Sequence, residues 1–178
     1  FKNKIYSEAD TTAQGYYNTE LIIDNKIKTY KFNCNTNLTA SLFNNRLHVN
    51  AGIRYDYFDN VRLKNTFSPR LGMSFEVVPN TKINASYGIF YQTPSALWIA
   101  SSPNNKNLNS IRCDHYIIGL EQIVSQDVRA SVELYEKRYK DYPVSVNDPT
   151  YILINGGGEY NPNLIREATS SGTGYVRG

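Results

Sequence analysis

Apolar and polar positions alternate with period two over long stretches of this chain. In residues 46–58 one face carries Leu47, Val49, Ala51, Ile53, Tyr55 and Tyr57, and the other Arg46, His48, Asn50, Gly52, Arg54 and Asp56. Successive side chains of a strand point to opposite faces, so this pattern predicts a two-faced β-strand. The same reading predicts strands at 67–78, with Phe67, Leu71, Met73 and Phe75 opposite Ser68, Arg70, Ser74 and Glu76, and at 81–92, with Ile83, Ala85, Tyr87, Ile89 and Tyr91 on the apolar side. Residues 27–43 and 128–139 follow suit, the latter setting Val128, Ala130, Val132 and Leu134 against Arg129, Ser131, Glu133, Tyr135 and Lys137. Residues 114–124 are mixed: Tyr116, Ile118 and Leu120 keep the period, whereas Ile117 and Ile123 break it.

The connections are as informative as the strands. Very short turns at Asn44-Asn45, Pro79-Asn80 and Ser125-Asp127 alternate with long polar loops near 59–66, 92–113 and 141–173. One end of the structure is therefore expected to be trimmed and the other elaborated, which is the habit of outer-membrane β-barrels with short periplasmic turns and long extracellular loops. The predicted strands are also far longer than the roughly 5–6 residues usual in soluble proteins. The apolar faces of the four best strands carry no charge, as contact with lipid requires, since a charge at the bilayer midplane costs about 2–4 kcal/mol on a barrel's outer face. A soluble sandwich also buries one face of each sheet, so alternation alone leaves both architectures open.

Composition adjusts this picture. The chain has 178 residues, 40% of them hydrophobic, yet its apolar runs are only a few residues long, far short of the roughly 20 needed by a spanning helix. There are 15 Tyr against 7 Phe and 1 Trp, and Tyr favours membrane–water interfaces. On the apolar faces the aromatics Tyr55, Tyr57, Phe67, Tyr87, Tyr91 and Tyr116 gather toward the long-loop ends, as an interfacial girdle would. A net charge of +3, from 19 basic and 16 acidic residues without long runs, gives no footprint for nucleic acid.

Candidate chemistry is sparse. Cys34 and Cys113 have no zinc-type spacing, so no metal site or cofactor is expected, and their pairing is not readable from sequence. His48 and His115 lie far apart without a nucleophile motif, and Gly156 to Gly158 lack the Lys and the strand–helix context of a phosphate loop. An enzyme is not expected. Arg54 and Asp56 share a face and predict an ion pair in the wall. Ligand contact is expected from the loops, at Trp98, Asn104 and Asn105 in one and Tyr151 and Tyr160 in the other, because aromatic and amide groups at a barrel mouth stack on and hydrogen-bond a ligand. Packing within their own loops is the competing role. Arg46, Arg54, Asp56, Arg70, Glu76, Arg129 and Glu133 are expected to line the lumen, mainly as braces.

The segments LHVNAGIRYDY (47–57), FSPRLG (67–72), INASYGIFYQTPS (83–95), HYIIGLEQ (115–122), VELYEKRYKD (132–141) and GYVRG (174–178) together resemble the C-terminal barrel of TonB-dependent outer-membrane receptors. The resemblance implies an all-β, antiparallel transmembrane barrel of about 22 strands with a plugged lumen, of which this chain would supply six to seven. It further implies a bacterial outer-membrane location and active uptake of a scarce nutrient, such as siderophore–iron, cobalamin or a glycan. The partners so implied are outer-membrane lipid, a plug domain of the same parent chain, a TonB-type energy-transducing protein and the small-molecule or glycan ligand. On this reading residues 1–178 form one partial barrel domain, cut at both ends and lacking the plug, and an isolated sheet of this kind would not fold alone in a membrane. A non-transporting structural or adhesion barrel and a soluble carbohydrate-binding β-sandwich are the alternatives.

Overall fold

The computed structural model describes residues 2–3, 25–26, 28–150, 152 and 167–178. Two short strands, β1 (Lys2–Asn3) and β2 (Asn25–Lys26), pair with each other. The remainder is one antiparallel sheet in strict sequence order: β3 (Lys31–Leu42), β4 (Leu47–Phe58), β5 (Asn65–Val78), β6 (Thr81–Gln92), β7 (Ile111–Ser125), β8 (Val128–Ser145) and β9 (Ala168–Arg177). Each strand pairs with its chain neighbour, so the sheet is an up-and-down meander, open between β3 and β9. The segment GYVRG lies at the end of β9.

Connection lengths follow the predicted asymmetry. Residues 43–46, 79–80 and 126–127 make the short turns, whereas 59–64, 93–110 and 146–167 join the opposite ends. The tight turns are built where positive φ is tolerated: Asn44 and Asn45 have φ of 55° and 65°, and Asn80 has 68°. Asn enters the left-handed region at low cost. Across the sheet the short turns are staggered. Leu47, the first residue of β4, lies opposite Phe75, and that row continues through Ile83 and Leu120 to Val132, well inside the later strands. Such a stagger is what tilts the strands of a barrel wall.

The two predicted faces are real and continuous across the register. Tyr55, Phe67, Leu71, Tyr87, Tyr116, Ile118 and Leu134 fall on one side; Arg54, Arg70, Gly88, His115, Gly119 and Glu133 fall on the other. The apolar face is uncovered: Leu38 is 70% exposed, Val132 67% and Leu134 61%. A sandwich would bury these residues against a second sheet, and no such layer exists among the described residues. The buried hydrophobic residues, including Phe58, Val61, Ile99, Leu108 and Ala168, sit instead at the long-loop end. No helix among the described residues is long and apolar enough to cross a membrane.

Several boundaries differ from expectation: β7 begins at Ile111 and β9 at Ala168, both inside expected loops. β8 runs past Tyr139 to Ser145 through an irregularity between Tyr139 and Tyr142, where Asp141 takes a φ of 60°. Such a bulge shifts the alternation by one residue and hides the continuation from a period-two reading. The loop 93–110 also contains a short helix, α1 (Ala96–Ser101), and a 3₁₀ turn (Pro103–Asn107) whose start is capped by Ser102, with Asn104 N donating to its hydroxyl at 3.3 Å.

Candidate functional site

At the long-loop end, loop 93–110 is packed from both sides. Ile99 clusters with Phe58 and Val61 from the end of β4 and the loop after it, while Trp98 packs partly buried on Leu108 and Ala168. Arg62 N donates to Leu108 O at 3.0 Å. Asn105 is fully buried: its Nδ2 donates to Trp98 O at 2.6 Å and to Ser101 Oγ at 2.9 Å, and its Oδ1 accepts from Ala168 N at 2.9 Å. Asn109 continues the seam, its N donating to Ser170 Oγ at 2.8 Å and its Nδ2 to Asp141 Oδ1 at 3.0 Å. The result is a collar in which two connections, the upper part of β8 and the start of β9 hold one another.

The expected ligand contacts therefore separate. Asn105 is spent on the collar and presents no surface to a ligand, and Trp98 is committed in part to the same packing. Asn104 is exposed, with its Nδ2 donating to Glu167 Oε1 at 2.8 Å. Tyr151 and Tyr160 lie outside the described residues, as do Gly156 to Gly158.

Beside the collar, at the long-loop end of the sheet, lies a cavity of about 270 Å³ bounded by Lys31, Arg54, Asp56, Lys64, Tyr91 and Gln92, among others. Arg54 and Asp56 form the predicted ion pair at 2.7 Å. Lys31 reaches from β3 to donate to Thr93 Oγ1 at 3.1 Å, its ammonium 4.6 Å from the Phe58 ring centroid. Neither lysine was legible as a site residue: Lys31 belongs to this cavity only because β3 pairs with β4 and loop 93–110 folds back over both.

The remaining charges of the polar face are braced by neighbours. The Arg70 guanidinium stands 4.7 Å from the centroid of the Phe90 ring, whose centroid lies 4.5 Å from that of His115. Glu76 lies opposite Lys82 and accepts from Asn80 N at 3.3 Å; Arg129 pairs with Glu121. Glu133 lies opposite Gly119, where an added Cβ would come within 3.1 Å of the Glu133 Cγ. Arg46 differs, as its guanidinium donates to Glu76 O and to Val77 O at 2.7 Å, tying one short turn to the next strand's end. Shallower space of about 440 Å³ also opens on this face between His48, Asn50, Ser74, Asn84, Ser86 and Glu133.

On the apolar face the aromatic girdle is present as ring pairs: Phe32 and Tyr55 at 6.3 Å, Tyr55 and Phe67 at 5.2 Å, Tyr87 and Tyr116 at 5.0 Å. Tyr55 is eight residues along β4. At about 3.3 Å rise and a tilt near 40°, eight residues climb about 20 Å, close to the roughly 25 Å apolar band of an outer-membrane barrel. Among the described residues no group of His, Cys, Asp and Glu is placed to hold a metal.

The family model of the TonB dependent receptor-like β-barrel matches residues 3–177. No curated protein matches the sequence. Among solved structures, the alcaligin outer-membrane receptor FauA of Bordetella pertussis aligns with a TM-score of 0.55 at 18% identity, over 84% of this chain and 26% of that one. The chain thus spans about a quarter of that receptor's length. At this identity the likeness speaks for the fold, and the family match over nearly every residue speaks for descent. With its two-faced wall, girdle and one-sided loops, the chain belongs to the TonB-dependent receptor-like β-barrel family, as part of a receptor in the bacterial outer membrane.

Proposed function

We infer that this segment is a section of the wall of a receptor that takes up a scarce nutrient by active transport. Its polar face lines the lumen, with Arg46, Arg54, Asp56, Arg70, Glu76, Arg129 and Glu133 bracing wall and plug. The plug belongs to the parent chain, and a TonB-type energy-transducing protein drives release of the ligand. The observation that carries the reading is the cavity at the long-loop end around the Arg54–Asp56 pair, where Lys31, Lys64 and Gln92 stand beside the aromatic Tyr57 and Phe58. A purely structural barrel has no need of such a cavity at its outer mouth. Asn104 on the collar's exposed rim, with Tyr151 and Tyr160 in the following loop, supplies further ligand contact. Siderophore–iron, cobalamin and glycans are the ligand classes in view, and the alcaligin receptor among the structural neighbours favours the first.

The test uses the full-length receptor in cells. A deletion strain and its complement are offered a labelled ferric siderophore, cobalamin and an oligosaccharide, with and without an uncoupler of the proton-motive force. Receptor-dependent accumulation of one of them, lost with the uncoupler and reduced by Arg54→Ala, is the expected outcome. If deletion alters adhesion or envelope integrity and leaves all accumulation unchanged, the structural barrel replaces the transport reading.

A further inference from the structure

On the polar side of the sheet, β4 to β7 carry one glycine each, and three of the four are roofed by a neighbouring side chain. A Cβ at Gly52 would run into the Asn37 amide, one at Gly88 into the Phe90 ring and one at Gly119 into the Glu133 side chain. Gly72 lies open, with nothing nearer to its added Cβ than Asn50 O at 4.0 Å. It floors the groove of about 440 Å³, with Asn50 and Ser86 directly opposite it on either side and Ser74 and Asn84 in the next row.

A track leads to this groove from the long-loop end. β3 sets Asn33, Asn35, Asn37 and Thr39 on the polar face at every second position, opposite Asp56, Arg54, Gly52 and Asn50. Asn33 borders the cavity beside the collar and Thr39 borders the groove, so these four side chains join the two spaces. At about 3.3 Å per residue the run covers about 20 Å. None of the four is charged. Neither they nor Asn50, Ser74, Asn84 and Ser86 spend a side-chain hydrogen bond on another described residue. Charges elsewhere on this face are held by a partner: Arg54 by Asp56, Arg129 by Glu121, and Arg70 by the Phe90 ring. Short amides and hydroxyls with unused donors and acceptors make single hydrogen bonds of modest strength, which a moving ligand can exchange one for the next.

We propose that the track from Asn33 to Thr39 and the groove over Gly72 are the path by which a ligand leaves the mouth, suited to a ligand whose outer surface offers uncharged hydroxyl and carbonyl groups. Such a path presupposes the uptake reading above, and it keeps this arc of the wall wet while the plug is seated.

The test uses the full-length receptor in intact cells, in a background carrying Cys34→Ser and Cys113→Ser, with Asn37→Cys, Gly72→Cys or Leu63→Cys added singly; Leu63 is exposed in an outer loop. A bulky, membrane-impermeant methanethiosulfonate is supplied from outside. Asn37→Cys and Gly72→Cys are expected to react as readily as Leu63→Cys. Labelling at either should stop accumulation of whichever probe the receptor takes up, a ferric siderophore, cobalamin or an oligosaccharide, and dithiothreitol should restore it by removing the adduct. The adduct is attached after folding, so its effect is not a folding defect. Asn37→Leu, which keeps the volume and removes the amide, should slow uptake about fivefold, as for the loss of one hydrogen bond, with Kd at the mouth unchanged. Protection of both cysteines from the reagent overturns the path, because plug or wall then covers it. Undiminished uptake by the labelled Gly72→Cys receptor, or by Asn37→Leu, overturns it as well and leaves the uptake reading standing. Accumulation of none of the three probes by the unaltered receptor is the failure of the uptake reading itself, and the path falls with it.

Discussion

Asn105 Oδ1 accepts a hydrogen bond from Ala168 N at 2.9 Å, fastening the 3₁₀ turn of one extracellular loop to the first residue of β9, 63 positions away in sequence. The same side chain donates back to Trp98 and Ser101, so a single amide joins the helix, the turn and a strand end. A buried donor left without its partner costs about 1–3 kcal/mol.

Asn105→Ala should therefore loosen the collar without dissolving the wall. Hydrogen exchange of the full-length receptor is expected to quicken at residues 96–110 and 168–170 and to stay unchanged in β4 and β5. Uniform protection across the collar would show that Asn105 is not its linchpin.

Gly172 lies opposite Tyr142, next to the bulge in β8. A Cβ there would come within 2.8 Å of the Tyr142 Cβ and of its carbonyl oxygen, and the backbone cannot give way without moving the ladder. Gly172→Ala is expected to destabilise by about 1–3 kcal/mol. Gly72 on β5 is the control, since its added Cβ would meet nothing nearer than Asn50 O at 4.0 Å. Thermal midpoints in detergent should drop for Gly172→Ala and barely move for Gly72→Ala. Equal midpoints would mean that the edge of the sheet relaxes freely at Gly172.

The two faces of β8 offer a sharper contrast. Val132 points outward in the lower half of the strand and is 67% exposed in this chain, whereas its neighbour Glu133 points to the polar side. Val132→Arg places a charge in hydrocarbon and should cost about 2–4 kcal/mol, and Glu133→Arg far less. Urea unfolding of the receptor in liposomes measures both, and a cost for Glu133→Arg as large as that for Val132→Arg would reverse the assignment of faces.

Much of this wall was legible from the chain because β3 to β6 keep a strict period of two and their turns carry Asn where φ is positive. The end of β8 was not, because Asp141 breaks the period at a bulge; its continuation is held by pairing with β9 and by Asn109. α1 is only six residues long, and such a helix owes its existence to Ile99 packing on Phe58 and Val61 rather than to local propensity. The collar depends on contacts between loops distant in sequence, so Asn105 read equally well as a ligand contact or as a brace. The charges on the outward side near the loop ends of β7 and β8, Arg112, Glu136 and Arg138, were hidden for another reason. Arg112 lies before the start expected for β7, and Glu136 and Arg138 alternate with polar residues of the opposite face, so no local pattern marked them as outward.

Site-directed labelling of the full-length receptor in liposomes tests the two-faced wall most directly. In a background carrying Cys34→Ser and Cys113→Ser, cysteines are placed singly at Val49, Ile53, Leu71, Arg54 and Glu133, and each is tested with a lipid-confined quencher and a water-soluble thiol reagent. The expected result is quenching at Val49, Ile53 and Leu71, with aqueous reactivity at Arg54 and Glu133. Protection of Val49, Ile53 and Leu71 from the lipid quencher, with burial against protein instead, would contradict the membrane wall.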